Sequence, residues 1–177
     1  MRKERYNNVL VIAGTGRESG KTTLACLIIK KFRHLKPVAV KISPHFHEPT
    51  EGLINWHIDA NFNVYRETSR IGNKDTTRML SAGAADAYYI QAYDKNAEEA
   101  FKLVAYNIPA DTPVICESPS LTKYIEPGVL FITDNKDVKY KKETKVLLSR
   151  ADKVLYPLLG EVNLESLDFL GGSWIFG

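Results

Sequence analysis

The chain has 177 residues, long enough for one domain with a sizeable core. Its 44% hydrophobic and 25% charged content is that of an ordinary globular chain rather than a disordered or fibrous one. A net charge of +3 is too small to make nucleic acid the main partner.

The amino-terminal MRKERYNN is basic, and the apolar run behind it, Val9–Ala13, is too short for a signal-peptide core or a membrane span. Cys26 and Cys116 both lie in apolar segments, so they read as buried thiols in a reducing, cytoplasmic compartment rather than as a disulfide framework.

Val9–Ala13 is continuous and rich in branched residues, the pattern of a strand covered on both faces. Thr22–Phe32 carries a broad apolar face with Lys30 and Lys31 near its end, which predicts a helix with cations at its carboxyl terminus. Pro37 stops it, and VAVKI, Val38–Ile42, reads as a second strand. From Ser43 to about Arg70 periodicity is lost, apart from a strand hidden in FNVYRE. An unpatterned stretch of that length inside one domain predicts a lid-like insertion at about 43–70.

Pattern returns with a short helix from about Asp75 (KDTTRMLSAGA), a strand (DAYYIQAY), a helix (NAEEAFKLVAYNI) and a buried strand ending in Glu117 (PVICE). A strand (GVLFIT), a helix (KETKVLLSRA), a sixth strand (KVLYP) and a last edge strand in GGSWIFG complete the chain. Strands alternating with helices predict an α/β domain, an open and mostly parallel sheet with flanking helices. Such sheets bind ligands beyond the carboxyl ends of their strands.

The first strand runs into GTGRESGKTT, Gly14–Thr23, and then into a helix. A glycine-rich turn there can aim successive backbone N–H groups at phosphate oxygens, and the helix adds its free N–H groups and positive dipole end. The predicted nucleotide-binding residues are Gly14, Thr15, Gly16, Arg17, Glu18, Ser19, Gly20, Lys21, Thr22 and Thr23. Lys21 would reach the β- and γ-phosphates of ATP or GTP, and the Thr22 hydroxyl would hold Mg2+. The usual pattern is G-x-x-x-x-G-K-[ST]; here its first glycine slot holds Thr15, and the glycine stands one position earlier. The plainer alternative is a helix start capped by Ser19, with Lys21 on the surface.

GTGRESGKTT resembles the phosphate loop of dethiobiotin synthetase, and KPVAVKI that family's second strand. VKISPHFH, KDTTRMLSAGA, VICE and VLFITD resemble segments of the molybdopterin-guanine dinucleotide biosynthesis protein B family. The resemblance implies the P-loop nucleoside triphosphatase fold, a nucleotide site and a homodimer, in a setting of cofactor biosynthesis.

Other residues carry candidate chemistry. Lys41, at the end of the second strand, would lie near the phosphates or an acceptor and share catalysis with Lys21; otherwise it snorkels to solvent. Glu117 ends an apolar run where an unpaired carboxylate is costly, so it joins Thr22 as a magnesium candidate. Asp75 is either a third magnesium oxygen or a helix cap. His45 and His47 share one face of an extended segment, as a transition-metal pair or as two loop histidines. Arg66, Arg70, Lys74 and Arg78 form a basic cluster, either an anion clamp or a solvated face. Asp134–Asp137, DNKD, follows the fifth strand but lacks the guanine motif's final Asp, since Val138 stands there. The resulting expectation is Mg2+-dependent hydrolysis of a nucleoside triphosphate, or transfer of its γ-phosphoryl to a small acceptor. The alternatives are a nucleotide-gated accessory protein acting on a partner protein, or an interaction module with a degenerate loop.

Overall fold

The computed structural model describes residues 3–136 and 140–177. Within them lie β1 (Glu4–Gly14), α1 (Lys21–Phe32), β2 (Val38–Ser43), β3 (Leu53–Ile58), β4 (Phe62–Glu67), α2 (Asp75–Ala82) and β5 (Asp86–Ala92). There follow α3 (Ala97–Ala105), β6 (Val114–Glu117), β7 (Ile125–Thr133), α4 (Lys142–Leu148), β8 (Lys153–Leu155), β9 (Leu167–Leu170) and β10 (Ser173–Phe176).

Eight strands form one sheet in the order β3-β4-β5-β2-β6-β1-β7-β8. The block from β5 to β8 is parallel, while β4 runs antiparallel to both β3 and β5. The fold is therefore α/β, with a mostly parallel mixed sheet flanked by helices. No helix of the described residues is long and apolar enough to cross a membrane.

Alternate residues of β1 feed two cores, as strand periodicity requires. Val9, Val11 and Ala13 join Val40, Ile90, Cys116 and Phe101 on the face covered by α3. Leu10 and Ile12 join Ala39, Ile115, Phe131 and the buried stripe of α1 and α2 on the other. β1 is fully buried from Val9 to Ala13 because it is central, between β6 and β7.

Two regions differ from expectation. The segment 43–70 holds the expected strand in FNVYRE, β4, with Phe62 and Val64 buried, and beside it an unexpected edge strand, Leu53–Ile58, so that a hairpin widens the sheet. Asp59 builds the turn by accepting the amides of Asn61 and Phe62 at 2.6 and 3.0 Å. Irregular backbone remains chiefly in 44–52. GGSWIFG supplies β10, but this strand pairs with β9 in a separate hairpin rather than at the sheet's edge. Trp174 anchors that hairpin, edge-on to Phe32 at 4.9 Å, with its indole N–H donating to the Val114 carbonyl at 3.2 Å.

Parallel register sets one row of side chains across the sheet: Ile12 lies beside Glu117, Glu117 beside Lys41, and Lys41 beside Tyr89. Residues in register share a face, here the face of Ile12, against which α1 and α2 pack.

Candidate functional site

The turn between β1 and α1 is shaped by three close approaches. A Cβ on Gly14 would strike Ser19 Oγ and come within 3.0 Å of Lys21 Cδ and Thr133 Oγ1, so only glycine fits there. Gly20 has φ +89°, the left-handed region, and lies against Pro157 and Leu158 of the connector after β8. Ser19, fully buried, bonds the Gly16 carbonyl at 3.1 Å and the Thr133 hydroxyl at 2.8 Å. It is therefore not the helix cap; Gly20 holds that position, with no side-chain cap. Thr15 is fixed from β7: its amide donates to the Thr133 carbonyl at 3.0 Å and its hydroxyl to Asp134 Oδ1 at 2.6 Å. Gly16, Arg17 and Glu18 form the exposed crest, with Glu18 at φ +54°.

Lys21 folds back over this crest, its ammonium donating to the Gly16 carbonyl at 2.9 Å. Burial lowers its pKa, opposed by the Glu117 carboxylate. The Thr22 hydroxyl donates to Glu117 Oε2 at 2.7 Å. Lys41 pairs with Glu117 Oε1 and, at 2.9 Å, with Asp75 Oδ2. Burial depresses the Lys41 ammonium, but the two carboxylates outweigh it and hold the pKa above its usual value. Asp75 is pushed up by burial and pulled down further by Lys41 and the Thr22 hydroxyl, so it ends below the ordinary carboxyl value. Asp75 is not the cap of α2, since Lys74 holds that position.

Lys21, Thr22, Lys41, Asp75 and Glu117, read separately from sequence, thus meet at one place. With Arg17, Glu18 and Thr23 they line a cavity of about 650 Å3. A second cavity, of about 510 Å3, is lined by Ser43, His47, Leu53, Lys74 and Tyr89, and shares Lys41 and Asp75 with the first.

The basic cluster is dispersed. Arg66 pairs with Asp86 at 2.6 Å, Arg70 donates to the carbonyls of Leu80 and Ala84, and Lys74 reaches Thr50, Glu51 and Glu67. Only Arg78 of the four lines the first cavity. The rings of His45 and His47 lie 6.2 Å apart, and among the described residues no group of three or more His, Cys, Asp and Glu gathers as a metal site. Of DNKD, Asp134 anchors Thr15 and accepts from Tyr140, while Asp137 and Val138 lie outside the described residues.

Sequence reading missed Thr133, Leu158 and above all Glu67. The buried Glu67 carboxylate accepts from the amides of Thr68 and Ser69 and from the hydroxyls of Thr76 and Thr77 at 2.9 and 3.1 Å. It thereby holds the first turn of α2, and Asp75 with it. An acidic residue closing a half-buried strand was the signal available.

Chemically, the loop and Lys21 offer donors to a polyanion. The Thr22 oxygen keeps lone pairs for a hard cation while its proton serves Glu117. No family model, curated protein or solved structure matches the chain.

Proposed function

We propose that the protein binds ATP or GTP with Mg2+ in the 650 Å3 cavity and transfers the γ-phosphoryl to a small acceptor in the 510 Å3 cavity, or to water. The observation that carries this reading is that the two cavities meet at Lys41 and Asp75. A donor site and an acceptor site joined at a charged pair suit in-line transfer, in which positioning and charge neutralisation supply most of the rate.

The residues fit each group. Gly14 has no room for a side chain, so backbone lines the loop. Thr22, Glu117 and Asp75 give the few oxygens Mg2+ takes from protein when phosphates and water complete its shell. Bound there, Mg2+ would neutralise charge on the phosphates. Lys21 would leave the Gly16 carbonyl for phosphate oxygens, and Lys41 would stand between donor and acceptor.

A thermal-shift screen tests the proposal. ATP, GTP, ADP and GDP, each with and without Mg2+, are compared on the wild type and on Lys21→Ala. Ligand at one hundred times its Kd adds about 2.7 kcal/mol to stability, which for a chain of this size raises Tm by roughly 5–11 °C. A Mg2+-dependent rise in the wild type that is lost in Lys21→Ala supports the reading. No shift with any nucleotide at millimolar concentration refutes it.

A further inference from the structure

We infer that Arg78 is a further catalytic residue of this proposed reaction, donating to the transferring phosphoryl group from the α2 side of the cavity. The inference rests on the nucleotide reading above.

The argument is one of charge. One wall of the cavity is the loop crest and the start of α1; the facing wall is α2, with Asp75 and, one turn on, Arg78. Lys21 belongs to the loop wall. Lys41 faces the cavity from β2, paired with Glu117 and Asp75 at the junction with the second cavity. Arg66, Arg70 and Lys74 are occupied elsewhere. Among the described residues Arg78 has no ion-pair partner; the single polar contact of its side chain is a 3.5 Å approach of Nη2 to the Thr23 hydroxyl. A half-buried guanidinium beside the helix start, without a carboxylate of its own, leaves its fork of donors for phosphate oxygens.

In hydrolysis, the water oxygen forms the new bond to phosphorus. The bridging P–O bond breaks with its electron pair on the nucleoside diphosphate, and the water proton passes to the released phosphate. Negative charge builds on the outer oxygens and on the leaving oxygen along this path. A cation that meets it there lowers the barrier more than it strengthens binding.

Arg78 also lines a cleft of about 420 Å3 with Cys26, Gly72 and Ser81, so solvent reaches its side chain from that side as well. Rescue by free guanidinium is therefore a fitting test. Single-turnover hydrolysis of Mg-ATP and Mg-GTP is measured for the wild type, Arg78→Ala, Arg78→Lys and Lys30→Ala, with affinities for the β,γ-imido analogues measured alongside. Arg78→Ala should lose roughly 100-fold or more in rate, with analogue affinity within about threefold of wild type. Arg78→Lys, which keeps the stem and hence the packing, should recover little. Millimolar guanidinium should restore part of the rate to Arg78→Ala alone. Lys30→Ala, which removes the same charge from the neighbouring cleft, should stay near wild type.

A rate within about threefold in Arg78→Ala overturns the inference but leaves the nucleotide reading standing, as does a loss of rate matched by an equal loss of affinity. A wild type that binds no nucleotide overturns both, whereas one that binds nucleotide without hydrolysing it overturns the inference and leaves the binding reading standing.

Discussion

Replacing Lys41 with Met tests the charged row at its centre. The Lys41 side chain is 18% exposed and that of Glu117 only 2%, whereas Asp75 is 40% exposed. Met keeps the aliphatic length and removes the charge. Asp75 can turn to water at little cost. Glu117 cannot, because β1, β2 and α1 enclose it, and the Thr22 hydroxyl is its one remaining partner. Breaking a buried pair from one side costs about 3–5 kcal/mol, since the surviving charge stays desolvated. For a chain of this size that lowers Tm by roughly 6–20 °C. Glu117→Gln in the Lys41→Met background removes the stranded charge and should recover at least about 1 kcal/mol, a coupling between touching residues. Urea denaturation of the wild type, both single variants and the double variant gives the cycle. A loss under about 1 kcal/mol for Lys41→Met, or strict additivity in the double variant, would refute the view that the pair is a buried electrostatic unit.

Glu117→Gln should shift the Mg2+ dependence of nucleotide binding and hydrolysis while leaving metal-free nucleotide binding nearly unchanged. Asp75→Asn should do the same more weakly; superimposable Mg2+ titrations would exclude both from the metal's shell. Burial raises the Glu67 carboxyl, but the Ser69 amide, the Thr76 and Thr77 hydroxyls and Lys74 outweigh it, leaving its pKa below the usual value. Its contribution to stability is thus complete above its unfolded value of about 4.3 and is lost as pH falls through the lower folded value. Glu67→Gln should therefore flatten the acid limb of stability between about pH 5 and 3, read by urea midpoints at each pH; an unchanged slope would rule Glu67 out. Hydrogen exchange should divide 43–70, with fast exchange in 44–52 and protection in β4, which is paired on both sides. Uniform fast exchange through Phe62–Glu67 would contradict its place in the sheet.

The parts of the fold that sequence revealed are those where one cause dominates. Val9–Ala13 has apolar neighbours on both faces, so its composition alone marks a covered strand. Asp75–Ala82 and Ala97–Ala105 bury a single stripe each, and helical spacing exposes it. β3 was hidden because an edge strand packs only part of one face: Ile54 and Ile58 are half-exposed, so apolar residues and burial do not coincide. β9 was hidden because its partner is a neighbour in sequence but the core that Leu167 joins, with α1 and Phe32, lies far away along the chain. In the site, residues whose chemistry is local could be named individually, as with Lys21 and Thr22. Asp75, Lys41 and Glu117 could be named but not joined, since sheet register brings them together. Thr133 and Glu67 act through contacts made only after folding, and composition carries no trace of those. The basic cluster stayed open between an anion clamp and a solvated face for the same reason, because spacing along the chain did not separate Arg78 from three cations with partners elsewhere.

Gly20 leans on Pro157 and Leu158, and Thr15 on Thr133 and Asp134. The glycine turn is thus synthesised well before its braces, which lie far downstream in the chain. A nascent chain that has emerged only through α1 holds every atom of the turn and none of the wall that gives it shape. Its left-handed glycine is then one conformer among many, and the entropy of ordering it opposes any ligand. The shape of the turn is in this way tied to completion of the sheet through β8, so the proposed nucleotide would meet a formed loop only once the core has closed.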